Sequence, residues 1–199
     1  VYQSDASAIP ITDIFCYDQD GNLYILWQYG TDYYIKRFEP DESSYRFPQG
    51  KIHILKIGPL ASAPVALAAD ISGGTNYLCA GYKDGSSWKI ARWEWTPSHY
   101  TTTSASHNEM PKDNTYTVQV QPHGTEEVAI TALAANKDGL YVGIQKHQTT
   151  PAQYELSVKK YSRENGSFAG ETAVGTPQTT FSEPAMSPFP DYHKIDYKI

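Results

Sequence analysis

The sequence predicts an all-β protein built from three copies of one four-stranded antiparallel unit. Three observations predict it. Ala66-Leu67-Ala68-Ala69-Asp70 returns as Ala132-Leu133-Ala134-Ala135-Asn136, and Ile11-Thr12-Asp13-Ile14 matches Ile130-Thr131-Ala132-Leu133. Each such run is followed by a polar turn and a second apolar run, the arrangement of a β-hairpin. A further strand then recurs as Ile35-Lys36-Arg37-Phe38, Ile90-Ala91-Arg92-Trp93 and Val158-Lys159-Lys160-Tyr161: β-branched, variable, basic, aromatic. Repeats of this kind are read before any single element, because missing them misreads the whole fold. No 3.6-residue period persists for more than a few positions, so helices do not compete.

The units are expected at about residues 11–60, 64–122 and 129–175, within a single domain spanning 1–199. In the first, Asp18-Gln19-Asp20-Gly21-Asn22 turns the chain into Leu23-Tyr24-Ile25, and Lys51 to Ile57 supplies the fourth strand. In the second, Gly73-Gly74-Thr75-Asn76 makes the turn and Tyr116 to Gln121 is the fourth strand, after a polar loop from Thr96 to Asn114 that is expected to be exposed. In the third, Asp138-Gly139 leads into Leu140-Tyr141-Val142, and Phe168 to Val174 closes the unit. Gly serves these turns because it accepts the positive φ that tight hairpins need. Residues 176–199 hold Pro177, Pro184, Pro188 and Pro190, which bars a central strand. Tyr192 to Ile199 then alternates enough for a last strand that could close a ring or pair with another chain.

Composition bounds the function. The 199 residues carry 16 basic and 22 acidic side chains, a net charge of −6. Without a basic block, binding to a nucleic-acid backbone or an anionic membrane is not expected. No apolar run approaches the roughly 18 residues of a membrane span. Cys16 and Cys79 are read as buried free thiols, with a single disulfide as the alternative. The first residue is Val1, Lys is sparse, Ser, Thr and Tyr are abundant, and Asn165-Gly166-Ser167 fits a glycosylation acceptor. Together these favour a secreted protein.

Two closed architectures accept repeated four-stranded units: blades packed face to face around an axis, or a trefoil barrel. Runs such as Tyr24 to Trp27 and Ala132 to Ala135 are apolar without alternation, as sheets covered on both faces require. The stretch from Ala132 to Phe168, with its Asp-Gly turn, Leu-Tyr-Val run and Val-Lys-Lys-Tyr strand, resembles the blades of β-propeller repeat proteins. That resemblance implies propeller-type blades, with β-trefoil as the alternative. Rings of this type close with about four to eight blades. Three leave the ring incomplete, so a homo-oligomer or a partner chain is expected to complete it, unless the chain is part of a larger propeller.

Candidate chemistry is sparse. Asp18-Gln19-Asp20-Gly21-Asn22 has alternating oxygen ligands, yet its Gly is fourth and Tyr29 stands at the twelfth position, so a hairpin rather than a calcium loop is expected. Lys83-Asp84-Gly85-Ser86-Ser87-Trp88 resembles the Asp-Gly-x-x-Trp turn of fucose-binding propeller lectins; it is less similar to the aspartate box of sialidases, which needs Asp-x-Gly. The lectin resemblance implies a sugar ligand. Indole faces stack on a pyranose while carboxylates take its hydroxyls. Trp93 and Trp95 share one side of a strand with Glu94 on the other. Trp93 falls at the repeat position of Phe38 and Tyr161 and is expected in the core, which leaves Trp95 as the surface residue. The expected ligand set is therefore Trp88, Trp95, Glu94, Asp84 and Tyr29.

Arg37, Arg92 and Lys160 are expected to lay their stems on aromatics and keep their heads in water. His99, His107 and Glu109 match no zinc spacing, so neither metal nor cofactor is expected. No catalytic motif stands out. The reading is a ligand-binding module for a glycan or a protein ligand, with carbohydrate favoured. The alternatives are an interaction scaffold that uses open sheet edges, and half of a propeller glycosidase.

Overall fold

The structure is a computed structural model, and it describes residues 9–41, 51–70, 74–100, 109–116, 118–120, 127–149 and 152–178. Three four-stranded antiparallel sheets follow one another along the chain. Sheet 1 comprises β1 (Ile9–Tyr17), β2 (Leu23–Tyr29), β3 (Asp32–Phe38) and β4 (Ile52–Pro59). Sheet 2 comprises β5 (Ala66–Asp70), β6 (Asn76–Asp84), β7 (Ser87–Trp95) and β8 (Val118–Val120). Sheet 3 comprises β9 (Glu127–Asn136), β10 (Gly139–Thr149), β11 (Ala152–Tyr161) and β12 (Phe168–Gln178). Strands neighbouring in sequence are neighbours in each sheet. Two-residue turns at 30–31, 85–86 and 137–138 dictate this for β2–β3, β6–β7 and β9–β10, because a two-residue hairpin can only return the chain antiparallel beside itself.

The repeat is carried in register. Ile35 pairs between Leu26 and Leu55, Ile90 between Gly81 and Val118, and Val158 between Gly143 and Thr172. The first strand is the exception. Phe15, not Ile14, pairs with Ile25 as Leu67 pairs with Ala80 and Leu133 with Val142. The ladder of β1 shifts register by three residues between Pro10 and Phe15, and any odd shift exchanges the two faces of a strand. The expected match of Ile14 to Leu133 is therefore corrected by one position.

The sheets stack in layers, with β5 lying against both β1 and β9. Sheet 2 is the middle layer and is buried on both faces. Leu67 and Ala69 join Tyr24, Leu26, Ile35 and Leu55 in the first seam, between sheets 1 and 2. Ala66 and Ala68, from the opposite face of β5, join Ile130, Leu140, Val142 and Ile144 in the second, between sheets 2 and 3. All five residues of β5 are buried. The unalternating alanine run of the sequence has this cause: each face of the strand meets a different sheet.

The sheets are not closed into a barrel; each is an open four-stranded meander. The trefoil alternative is overturned, since the first strands of the three sheets pack side by side instead of pairing around a closed wall. The loop from Thr96 to Asn114 also departs from expectation. After a 3-10 turn at Pro97–His99, and beyond residues outside the described set, the segment from Glu109 returns to the core. The Met110 amide donates to Lys56 O (2.8 Å), the Glu94 amide to Pro111 O (3.3 Å) and the Asp113 amide to Arg92 O (2.9 Å). Met110 is 1% exposed in the first seam. Gly58, at φ 76°, leaves the space in which the Glu109 carboxylate lies. A polar loop thus contributes a strap that ties β4 to β7. The strand proposed from Tyr192 to Ile199 lies outside the described residues, while β12, an edge strand, runs through Pro177 to Gln178.

Candidate functional site

Where β1, β5 and β9 converge they leave a cavity of about 430 Å³. The sequence builds it from small residues. Ala66, Ala68 and Ala69 of β5 and Ala132, Ala134 and Ala135 of β9 line it, and their small side chains leave the space unfilled. Ile14, Phe15, Cys16 and Tyr17 of β1, Val65 before β5, and Thr131 complete much of the wall. Phe15, Tyr17 and Val65 are 41, 45 and 39% exposed, and they make up half of the six exposed large apolar side chains among the described residues. The rings of Phe15 and Tyr17 meet edge to face at 6.1 Å. Every lining residue is uncharged at neutral pH. The Cys16 thiol is held protonated chiefly by burial, with the charge of Asp18 adding to it; a protonated thiol is not a nucleophile. Both cysteines are free, as the primary sequence reading expects.

One end of the cavity carries a polar rim. Asp18, Asp70 and Asn136 follow Tyr17, Ala69 and Ala135 at one repeat position. Asp18 accepts four hydrogen bonds: from the amides of Asp20 (2.9 Å) and Asn22 (3.0 Å), from Asn22 Nδ2 (2.7 Å) and from the Tyr24 hydroxyl (2.7 Å). Those bonds make the Asp18–Asn22 stretch a hairpin, as expected. Asp70, 3% exposed, accepts from Gln19 Nε2 in the β1–β2 turn of sheet 1 (3.2 Å) and pairs with Arg163 in the β11–β12 turn of sheet 3. Asn136 Oδ1 caps its own turn at the Asp138 amide (2.8 Å).

Outside this rim stand the repeated cations, and here the expectation of solvated heads is corrected for two of the three. Arg37 and Arg92 are 7 and 6% exposed. Arg37 donates to the hydroxyls of Tyr24 (3.1 Å) and Tyr100 (2.8 Å), pairs with Glu39 and lies over Trp95 at 5.1 Å. His53 stacks on Tyr100 at 4.0 Å beside Glu39 (3.2 Å), and burial holds its pKa below the ordinary value. Burial also pushes the Tyr100 phenol up to about 12. Arg92 donates twice to Asp113 (2.6 and 3.1 Å), caps the carbonyls of Arg163 and Glu164, and is sandwiched by Tyr77 (4.5 Å) and Tyr116 (3.9 Å). Lys160, half-buried, lies over Tyr141 at 5.5 Å. A buried guanidinium has to be paired, and the surrounding carboxylates, carbonyls and ring faces do that. These groups hold the seams together and offer little free charge to a substrate.

The five residues proposed from sequence are not brought together. Tyr29, 41% exposed, and Asp84, Trp88 and the Asp84–Lys89 pair (2.5 Å) sit at the turns that end β2 and β6. Trp88 is half-buried against the second seam with Lys83 over its ring at 5.8 Å. Glu94 and Trp95 lie at the far end of β7, roughly 23 Å from Trp88 at the rise of an extended strand. Glu94 is exposed. Trp95 is 2% exposed and packs against Tyr24 and Tyr100. Its expected surface position is corrected: Tyr24 of sheet 1, Tyr100 and the Arg37 guanidinium lie against the indole in the first seam, and it presents no face to a sugar. His107 lies outside the described residues, and among those described no three His, Cys, Asp or Glu side chains converge as a metal site.

Phe15, Tyr17 and Val65 were not singled out by sequence reasoning. A signal was present for Tyr17, an aromatic residue where the other two repeats have Ala69 and Ala135. The fold and its cavity define a class: an all-β protein of three stacked four-stranded antiparallel sheets with a concave, uncharged site along their inner strands. Beyond that class, no protein-family model, curated protein or solved structure matches the chain.

Proposed function

We propose that this chain is a ligand-binding module, a run of propeller-type blades whose ligand occupies the cavity at the inner strands. One observation carries the reading: exposed apolar side chains and concavity coincide, with Phe15, Tyr17 and Val65 all on the cavity wall. Exposed apolar surface costs a soluble protein, and a concave, mostly apolar cleft is the usual shape of a small-molecule site. The uncharged lining favours a neutral ligand over a phosphate- or carboxylate-rich one. Carbohydrate is the proposed class. A sugar ring has an apolar face for Tyr17 or Phe15 and hydroxyls for the Thr131 hydroxyl and the strand-edge backbone. Glycan recognition also suits the secreted location that the sequence favours.

The test is retention on an array of neutral glycans, with Tyr17→Ala and Ala134→Phe as variants at exposed cavity positions. We expect retention by the parent chain and a loss of at least about tenfold in both variants. A parallel titration with an uncharged apolar fluorophore separates the two parts of the reading. Fluorophore binding that Ala134→Phe blocks, with no glycan retained, keeps the cavity as the site and removes carbohydrate. Neither kind of binding removes both.

A further inference from the structure

The two outermost faces of the stack obey the same rule that builds its two seams. Each seam joins one face of a sheet, the donor face, to the opposite face of the next, the acceptor face. In sheet 2 the acceptor face carries Leu78, Ala80 and Tyr82, all buried against sheet 1. Leu140, Val142 and Ile144 occupy the same repeat positions in sheet 3, buried against sheet 2. In sheet 1 these positions are Leu23, Ile25 and Trp27, and they lie on the face that the first seam does not use. They are apolar like their counterparts and only half-buried. The donor positions follow the same pattern. Ile35 of sheet 1 and Ile90 of sheet 2 are buried in the seams at 0 and 2% exposure. Their equivalent Val158, between Gly143 and Thr172, lies on the face of sheet 3 that the second seam does not use, and is half-buried.

We infer that the acceptor face of sheet 1 is the docking surface for the donor face of sheet 3 in a second copy of this chain. Continuity with the internal interfaces argues for this occupant. The face that packs on Leu78 or Leu140 positions is, twice within one chain, the face that carries the Ile35 or Ile90 position, and among the described residues the only such face left over is that of Val158. A head-to-tail contact of this kind either closes into a ring or runs on as a filament. Two copies contribute six sheets, within the roughly four to eight at which radial arrays of four-stranded sheets close. Closure makes both contacts at once and leaves neither face exposed. The inference rests on the threefold repeat and its seams, not on the glycan reading; Phe15 and Tyr17 pair with Ile25 and Leu23 on this same face, so the dimer covers that wall of the cavity and competes there with a ligand.

Sedimentation equilibrium of the full chain tests it, with Ile25→Lys on the acceptor face and Val158→Glu on the donor face. The parent chain is expected to be a dimer. Each variant alone places an uncompensated charge in both contacts of its own dimer and is expected to weaken association at least about 100-fold. Mixed in equal amounts, the two variants are expected to recover the dimer, since one contact is then unmodified and the other pairs Lys with Glu. Circular dichroism and a thermal melt establish that each variant is folded, and Ile25→Gln with Val158→Thr replace any that is not. A parent chain that stays monomeric at all concentrations overturns the inference, as does an open-ended series of higher oligomers. A dimer that Ile25→Lys breaks, that Val158→Glu leaves intact and that mixing does not restore overturns it in favour of a face-to-same-face contact.

Discussion

The two seams join like sheets in like register and are filled differently. The first is aromatic: Tyr24, Tyr33, Tyr82, Trp93 and Trp95 pack there with Met110. The second is mostly aliphatic, built from Ile90, Val118, Val120, Ile130, Leu140, Val142 and Ile144. Gly81 shows how closely the second is fitted. A Cβ added there would meet the Ile130 side chain at 3.2 Å, so that glycine lets sheet 3 approach. At the equivalent place in sheet 1 stands Leu26, fully buried against the aromatic filling. Each seam is also closed at its rim by a buried arginine from the same repeat position, with different partners. Arg37 uses Tyr24, Tyr100 and Glu39; Arg92 uses Asp113 and two main-chain carbonyls. The repeat therefore specifies a separation between sheets and a place for a cation, and leaves the filling to whichever side chains add up to the right volume. Close packing demands only that the sum be right.

Truncating the first seam at its largest residue should have the largest effect. Trp93→Ala is expected to cost about 3–5 kcal/mol, measured by urea unfolding. Trp93→Phe should cost clearly less, because it keeps most of the ring and removes an indole N–H that has no hydrogen-bond partner. In the second seam Ile144→Ala is expected to cost about 2–4 kcal/mol. The double variant sharpens the comparison. If the seams are independent layers, the two losses add within about 0.5 kcal/mol; a larger deviation means that sheet 2 transmits strain between its faces.

The strap belongs to the first seam alone. Gly58→Ala should destabilise by about 1–2 kcal/mol, since its φ of 76° is unfavourable for any side chain. The Glu109 carboxylate, at the end of a flexible side chain, must also move aside. Loss of protection of the Met110 amide, which bonds Lys56 O, in hydrogen exchange checks that the strap is what loosens.

Acid should separate the rims. Burial alone would raise the Asp113 pKa, but hydrogen bonds from the Thr115 hydroxyl, the Arg92 guanidinium and the Thr115 amide, with the Arg92 charge, outweigh it and lower the pKa from 3.8 to about 2. A carboxyl whose folded pKa is depressed stabilises fully above its unfolded value and loses that contribution as pH falls through the folded one. Stability tied to Asp113 is thus complete above about pH 4 and lost toward pH 2. Asp113→Asn should flatten this part of a stability-against-pH curve. A variant with the parent's acid dependence would show that the Arg92 rim does not depend on this charge.

Much of the architecture was legible along the chain. The Asp18–Asn22 hairpin, the equivalence of Ile35, Ile90 and Val158, and the core position of Trp93 all follow from turn chemistry and spacing. The candidate site was not legible. Trp95 reads as a surface residue because nothing in its own strand says that a distant segment covers it. Tyr24 of sheet 1 and Tyr100 do so, and the strap that joins the same seam begins in a polar stretch, where Met110 is an isolated apolar residue without a period to announce it. Arg37 and Arg92 read as solvated because a basic residue in a strand gives no sign of the carbonyls, carboxylates and rings that will surround it. Phe15 and Tyr17 were passed over for a register reason, since the slip in β1 moved them one place from the position that the repeat assigns.

Local information alone determined that this chain makes strands, where most of them turn, and that one meander is used three times, because hairpin turns and the recurrence of apolar runs are properties of neighbouring residues. Only the tertiary structure decided which faces are buried, which cations are sealed and where a cavity remains. Those outcomes depend on residues such as Ala69, Ala135 and Tyr17, far apart in sequence, meeting where β1, β5 and β9 pack together. A strand carries its alternation within itself, but what covers each of its faces is set by another part of the chain.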